Sequence, residues 1–563
     1  MMRSFAVLAA ALLLAACGGG GAAVSTPPKS SGHGTGVLAF SIVIPVKPAP
    51  SAARRKPAYV SAATQSVSFA VGASTPQVVT LALGSPSCPL GQLGYTCTAD
   101  ASVAAGANQS LTIKTFASTD GSGPVLSQNT VVITVVAGQT NPVTVSLNGV
   151  AASLSLAVSG PVSKCTPSSV TVTWSALDAS GYTIIGPGTI VAPDGTAVAP
   201  TLAVSDAIRF TVGAPAGNSW NVAYNGAGGT SPVTLTASNP GVTAGTAPLT
   251  LNAGSLLFMT AANTVRFVAP PYSARFSVIS NGVFTPVEVA VDPSCTLYVA
   301  NFGDGGADNV TTYVPPYTGA PVATIPATNV TDMALSSTGN LFVLNGDPTD
   351  TVTEFAPPYT GAPIATVNLA PVGTNFGTPV QISADSANDF FVVSSFYMAN
   401  FVRAYSPPYS TFTLVQGNTN PQRTLEQAGT NNLFITSYTN AQLEYAPPYT
   451  GGPIATISPG ESIGGGGLAL DAAGDFFVAY SGTSQIAEYQ PPYIAPAVTI
   501  TSGVNNPVIL ALDPATGNLF ASNVPPFQQV PQPKTVTVYA PPYTSAPFAT
   551  QNITGNGALA ISP

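Results

Sequence analysis

The sequence predicts an all-β chain: two β-sandwich modules over residues 37–150 and 151–252, then a seven-bladed β-propeller over residues 253–563. Three observations predict it. A Pro-Pro-Tyr phrase returns seven times, ending at Tyr272, Tyr317, Tyr359, Tyr409, Tyr449, Tyr493 and Tyr543, at intervals of 45, 42, 50, 40, 44 and 50 residues. The residues between are β-branched, aromatic and proline-dense, which excludes a helical array of the same period. The first half alternates apolar and polar positions in short runs, broken roughly every 8–12 residues by Gly, Pro, Asn or Ser.

The amino terminus comes first in order. Met1 to Ala16 reads as an export signal, with Arg3 as the positive start and Phe5 to Leu14 as a short apolar core. Such a core falls well below the roughly 20 residues a membrane span needs. Leu14-Ala15-Ala16-Cys17 resembles the lipobox of bacterial lipoproteins. That resemblance implies cleavage before Cys17, a diacylglyceryl group on its sulfur and usually a third acyl chain on the new amino terminus. Two or three chains hold a membrane stably, at about 0.8 kcal/mol per buried CH₂. Residues 17–36 read as a flexible tether rich in Gly, Ser, Thr and Pro, and the chain's one histidine, His33, lies in it without a role. By analogy, Gly18 after the cysteine favours the outer membrane of a two-membrane cell.

Cysteine use fits an oxidising envelope. Cys88 and Cys97 bracket a short Pro/Gly loop and are predicted to pair, whereas Cys165 and Cys295 fall in different segments and read as separate buried thiols.

In the first module the strands are carried by Val67/Phe69/Val71, Val79/Leu81/Leu83, Val131/Ile133/Val135 and Val143/Val145/Leu147. The second has Val170/Val172/Trp174, Ile208/Phe210/Val212, Trp220/Val222/Tyr224 and Val233/Leu235, with a break near Asn148-Gly149 between the two. Both resemble, in pattern, the immunoglobulin-like modules of bacterial surface proteins, which act as spacers or in adhesion and glycan binding.

Each later unit opens with an alternating strand, such as Val287/Val289/Val291, and turns at a Gly or Asn. It continues in an apolar run such as Leu297-Tyr298-Val299, suited to a strand covered on both faces. A third strand ends at an aromatic (Tyr313, Phe355, Tyr405, Tyr445, Tyr489, Tyr539), and Pro-Pro-Tyr leads into the fourth. Four strands per unit is the arrangement of a propeller blade, and proline suits its outer edge. Leu559 to Pro563 matches the first strand of a unit, so the carboxyl terminus is expected to close the ring on Gly254-Ser255-Leu256-Leu257-Phe258; a rival register uses Leu249-Thr250-Leu251-Asn252 and leaves the terminal strand redundant. The phrase Val-Ala-Val-Asp-Pro…Leu-Tyr-Val-Ala over 289–300 resembles the NHL-repeat propeller family, with departures at Asn301, Asn345 and Tyr480. The family includes scaffolds, ligand binders and some enzymes.

Only 6% of residues are charged and 14 are basic, too few for a surface that tracks nucleic-acid phosphates. One histidine leaves no His-based triad, and no phosphate loop, Cys-X-X-Cys pair or serine elbow appears, so no cofactor and no catalytic residue is assigned. Asp292, Asp385, Asp471 and Asp513 read as turn-capping residues. Glu354, Glu444 and Glu488 read as a solvated outward face, and each Pro-Pro-Tyr tyrosine as the cover of its own hairpin. The expected function is a non-catalytic binding or scaffolding head on a sandwich stalk, lipid-anchored in the cell envelope, with a glycan or protein ligand. The alternative is a calcium-dependent hydrolase of the gluconolactonase type, for which Glu288 and Asp332 are the acids nearest the channel.

Overall fold

The computed structural model describes residues 34–46, 59–92, 94–185, 189–229, 231–303, 308–359, 361–369, 378–394, 400–417, 420–438, 441–457, 466–525, 534–554 and 557–563. Among them every regular element is a strand, and no helix is long and apolar enough to cross a membrane. The export signal, Cys17 and His33 lie outside the described residues. The chain divides into two compact units. One runs to Ser153 and includes 176–199 and 240–242; the other comprises 154–175, 200–239 and 243–563.

In the first unit, Thr35–Ile44 alternates exposed and buried positions, pairs antiparallel with Gly94–Ala104 and runs parallel to Thr140–Val143. Its buried set, Leu38, Phe40, Ile42 and Ile44, shares one core with Val67, Phe69, Leu111 and Ile113 of a six-stranded sheet. Phe40 and Phe69 meet edge-on at 5.6 Å. The strand starts inside the expected tether. Gly36 belongs there because a Cβ would lie 2.5 Å from the Val136 carbonyl oxygen. Cys88 and Cys97 form the expected disulfide, both buried in this core.

The expected break at Asn148-Gly149 is a strand, Asn148–Val150, paired with Val125–Val135 and with Ile190–Val191. Gly149 allows close approach: a Cβ there would sit 2.4 Å from Ile184 and 2.8 Å from the Tyr59 ring. The Tyr59 hydroxyl donates to Asp178 at 2.7 Å, so residues past 150 complete the first unit.

The second run of strands forms one connected order of seven hydrogen-bonded strands. Its order is Thr201–Val204, Val233–Asn239, Val242–Leu249, Ser153–Val158, Ser168–Leu177, Ser219–Tyr224 and Phe210–Val212, and the two end strands come together. Alternation says only that one face is buried, and a sheet rolled toward closure satisfies it as well as a sandwich does. Ile208, expected in a strand, is 90% exposed; the strand begins at Phe210.

Seven four-stranded antiparallel sheets follow, each with its strands in sequential order. Six run in chain order from Pro286–Val291 onward. The remaining one, here sheet one, joins both ends: Leu559–Ile561 is its first strand, then Leu257–Ala261, Thr264–Val268 and Ser277–Ile279. Leu257 pairs with Ile561 and Met259 with Leu559, while the Leu256 N–H donates to Ser562 Oγ at 2.8 Å. The first strand of each sheet lies beside that of the next, and the circuit returns from sheet seven through Leu559–Ile561 to sheet two. The second strands, such as Leu297–Asn301 and Phe476–Tyr480, are buried along their whole length.

Candidate functional site

The repeat residues build the framework that positions the site. Each Pro-Pro-Tyr is a turn of type VI character, with cis proline at its third position. The tyrosine N–H closes it, as from Tyr272 to the Ala269 carbonyl at 2.9 Å. The tyrosine stands at φ near 60°, a conformation that costs an ordinary residue about 1–2 kcal/mol. Two contacts offset that cost. The hydroxyl donates to the carbonyl of the turn between strands one and two of its own sheet: Tyr317 to Cys295 at 2.9 Å, Tyr493 to Gly474 at 2.9 Å, Tyr449 to Asn431 at 2.8 Å. The ring packs on an aromatic of the preceding sheet: Tyr359 on Tyr298, Tyr449 on Phe391, Tyr493 on Phe434, Tyr543 on Phe477. Tyr272 does the same across the closure, 5.0 Å from Phe520. The tyrosines therefore cover their own hairpins and also join neighbouring sheets.

The capping aspartates act as the sequence suggests. Asp292 Oδ1 accepts the Ser294 and Thr296 N–H groups, Asp385 those of Ala387 and Asp389, Asp471 those of Ala473 and Asp475, and Asp513 that of Ala515. The expected solvated glutamates are a correction: Glu354, Glu444 and Glu488 are all buried. Asn340 and Asn432 donate to Glu354 and Glu444, each at 2.7 Å, and Gln490 to Glu488 at 3.5 Å. Each faces the tyrosine of the following sheet, Tyr409, Tyr493 and Tyr543 respectively. A position that repeats once per sheet can face solvent or the next sheet; here it faces the next sheet. Asn301, Asn345 and Asn523, the buried ends of second strands, were not singled out as structural in the sequence. Each donates to a third-strand threonine (Thr311, Thr353, Thr537) and accepts a backbone N–H (Phe284, Thr328, Asn505).

Cys165 and Cys295 are not separate thiols. They form a disulfide between the seven-stranded sheet region and sheet two, buried beside Leu256, Phe258 and Tyr317. Linear distance along the chain concealed that contact.

What remains lies on the first strands. In five of them the ladder slips by one residue, and the residue after the slip pairs with the fourth position of strand two: Glu288 with Ala300, Asp332 with Leu344, Gln381 with Val393, Arg423 with Thr436, Ile509 with Ser522. The Gly467 and Ala558 carbonyls take the corresponding bonds from Ala479 and Thr260. Around the circuit this position therefore reads Glu, Asp, Gln, Arg over four successive sheets, then Gly, Ile, Ala over the other three.

The polar arc is tightly held. Asp332 accepts its own sheet's Met333 N–H and the next sheet's Ile382 N–H, both at 2.9 Å. Gln381 Oε1 accepts the Thr424 N–H at 2.9 Å and hydroxyl at 2.8 Å, and its amide donates to the Ile382 carbonyl at 2.8 Å. Ser383 donates to Glu426, and its oxygen lies 2.8 Å from the Thr424 hydroxyl oxygen. Glu288 accepts the Val289 N–H at 3.0 Å. Enclosure by protein raises the Glu288 and Asp332 carboxyls above the ordinary range; Asp332 raises Glu288 further, and the Arg423 charge opposes both shifts. Enclosure also pushes Glu426 up to about 7, against the bond from Ser383. Glu288, Arg423 and Glu426 each keep part of their surface open, as groups lining an inner space do. Arg423 and Gln381 escaped the sequence reading, although aligning the repeats on Pro286, Pro379, Pro421 and Pro507 puts them in register with Glu288. Among the described residues no three His, Cys, Asp or Glu side chains lie together as a metal cluster.

No protein-family model and no curated protein matches the sequence. Among solved structures, the chain is similar to Kuenenia stuttgartiensis hydrazine synthase at 12% identity, covering 55% of this chain and 93% of that one, with a TM-score of 0.41. It is also similar to a chain of a nidogen/laminin complex at 11% identity, covering 44% and 93%, with a TM-score of 0.33.

Proposed function

We propose that the seven sheets are the blades of a β-propeller of NHL-like kind and that it is the non-catalytic binding head of an exported envelope protein. The sandwich-type module and the rolled sheet carry the head, and Cys17 anchors the chain. The two disulfides fit an oxidising, exported environment. The observation that carries the reading is the asymmetry of one repeat position. Sheets alike in framework divide at this position, with Glu288, Asp332, Gln381 and Arg423 on one arc and Gly467, Ile509 and Ala558 on the other. Framework needs do not call for a one-sided polar arc, whereas orienting a polar group of a glycan or protein ligand does. Asp332 already spends both oxygens on backbone N–H groups, which suits a fixed acceptor better than a proton carrier. The calcium-dependent alternative rests on the Glu288–Asp332 pair, whose negative charge Arg423 already offsets in part.

Binding to a glycan array by the full-length protein tests the reading. A specific glycan whose affinity falls about tenfold in both Glu288→Gln and Arg423→Gln supports it. Lactone hydrolysis restored by calcium after chelation would overturn it in favour of the enzyme. For the anchor, a Cys17→Ser protein that still incorporates a clickable fatty acid would refute lipidation.

A further inference from the structure

A second polar feature lies away from the first strands, on the outer side where sheets one and seven meet. A groove of about 510 Å³ is lined by Arg266, Arg275 and Phe276 of sheet one and by Thr550, Gln551 and Asn552 of sheet seven's outer strand. That volume falls in the roughly 300–1,000 Å³ range of small-molecule sites. The chain has 14 Lys and Arg in 563 residues and a net charge of −8, yet two arginines share this groove and no Asp or Glu lines it. Among the described residues neither guanidinium forms an ion pair. Two like charges without a counter-charge repel each other, and an anion placed between them removes that repulsion.

The arginines are also departures from the repeat. Strand pairing sets Arg266 opposite Val278 as Thr311 is set opposite Thr324 and Thr353 opposite Thr366, so Arg266 stands where sheets two, three and seven carry a threonine; sheet four also has an arginine there, Arg403, stacked on Phe412. By the same register Arg275 takes the place of Pro321 and Pro363. The groove is held rigid: the Arg266 guanidinium sits 5.4 Å over the Phe276 ring, and the buried Gln551 amide donates across the junction to the Tyr272 carbonyl. Ser273, Thr550 and Asn552 add exposed short polar groups that give and take single hydrogen bonds.

We infer that this groove is an anion-recognition site for an acidic saccharide, its carboxylate held between Arg266 and Arg275. Arginine's planar fork matches a carboxylate bidentately. Sugar hydroxyls suit the short polar rim better than a peptide's spaced side chains do. The site is separate from the polar arc, and the inference goes beyond the function proposed above.

The test is titration calorimetry of the full-length protein in detergent with a galacturonate oligomer, its methyl ester and oligoglutamate. The acid form binds, weakens as salt is raised, and exceeds the methyl ester at least tenfold. Arg266→Gln and Arg275→Gln each lose about tenfold, Arg275→Lys retains part of the affinity, and Lys114→Gln changes nothing. A melting curve within 2 °C or so of the parent shows that a variant is folded. Equal affinity for the methyl ester, no binding of the acid, or undiminished binding in the folded double variant would overturn the inference. Oligoglutamate binding as tightly as the uronate would overturn the assignment to saccharide.

Discussion

The Cys165–Cys295 disulfide offers the sharpest quantitative prediction. It spans 130 residues of sequence, and in the chain-entropy treatment closing so long a loop stabilises the folded state by about 5 kcal/mol. The second compact unit holds about 380 residues. At about 2.1 cal/mol/K per residue its unfolding entropy is about 0.8 kcal/mol/K, so replacing both cysteines by alanine lowers its Tm by about 6 °C. Calorimetry of the full-length protein reads this as a shift of one transition. The Cys88→Ala/Cys97→Ala protein is the control: its loop of separation 9 is worth about 2.6 kcal/mol and belongs to the other unit, so this transition stays in place. Alkylation of the native protein without reductant should leave Cys165 and Cys295 unlabelled. Labelling at both, or a double variant that melts with its parent, would refute the reasoning.

Three further outcomes follow from the same geometry. Glu426, with its pKa pushed up to about 7, and the raised Glu288 and Asp332 hold protons in the folded state that the unfolded chain releases near pH 4–5. Stability is therefore full at low pH and falls as pH rises through 7, and Glu426→Gln should flatten that fall, worth about 1–3 kcal/mol, in denaturant titrations at pH 5 and 8. Tyr493→Phe removes only the hydroxyl bond to Gly474 and should cost about 1 kcal/mol, whereas Tyr493→Ala also empties the contact with Phe434 and should cost about 3–5 kcal/mol. Chelator followed by calcium should leave the melt of the full-length protein unmoved; a melt lowered by chelation and restored by calcium would reveal a bound metal, because a ligand of the folded state alone must raise its stability.

The sequence made the framework legible because the framework is what repeats. Pro-Pro-Tyr marks every turn into a fourth strand, the aspartates cap the turns where the pattern puts them, and the carboxyl terminus carries a first strand with no unit of its own. Three features were hidden for physical reasons. Alternation does not distinguish two facing sheets from one rolled sheet, so it leaves the arrangement of the strands after 151 open. A recurring glutamate looks the same whether it faces water or the tyrosine of a neighbouring sheet, so Glu354, Glu444 and Glu488 were placed outside. The partners Cys165 and Cys295 are joined by folding across 130 residues, which spacing cannot disclose. The polar arc fell between these cases: Glu288 and Asp332 stood out as acids, but Gln381 and Arg423 become their partners only when the repeats are aligned through the slipped register of the first strands.

The central claim is a closed circuit of seven sheets with the carboxyl-terminal strand as its clasp. Leu559–Ile561 completes sheet one, the Gly254 N–H bonds to the Pro563 carbonyl at 2.9 Å, and the Ser562 hydroxyl accepts the Leu256 N–H. The direct measurement is the thermal unfolding of the full-length chain beside one lacking residues 557–563, with Leu559→Ala as the milder perturbation. The account predicts that the deletion sharply lowers the Tm of the second unit and that Leu559→Ala costs about 2–5 kcal/mol. A deletion that melts where the parent does would contradict closure by this strand.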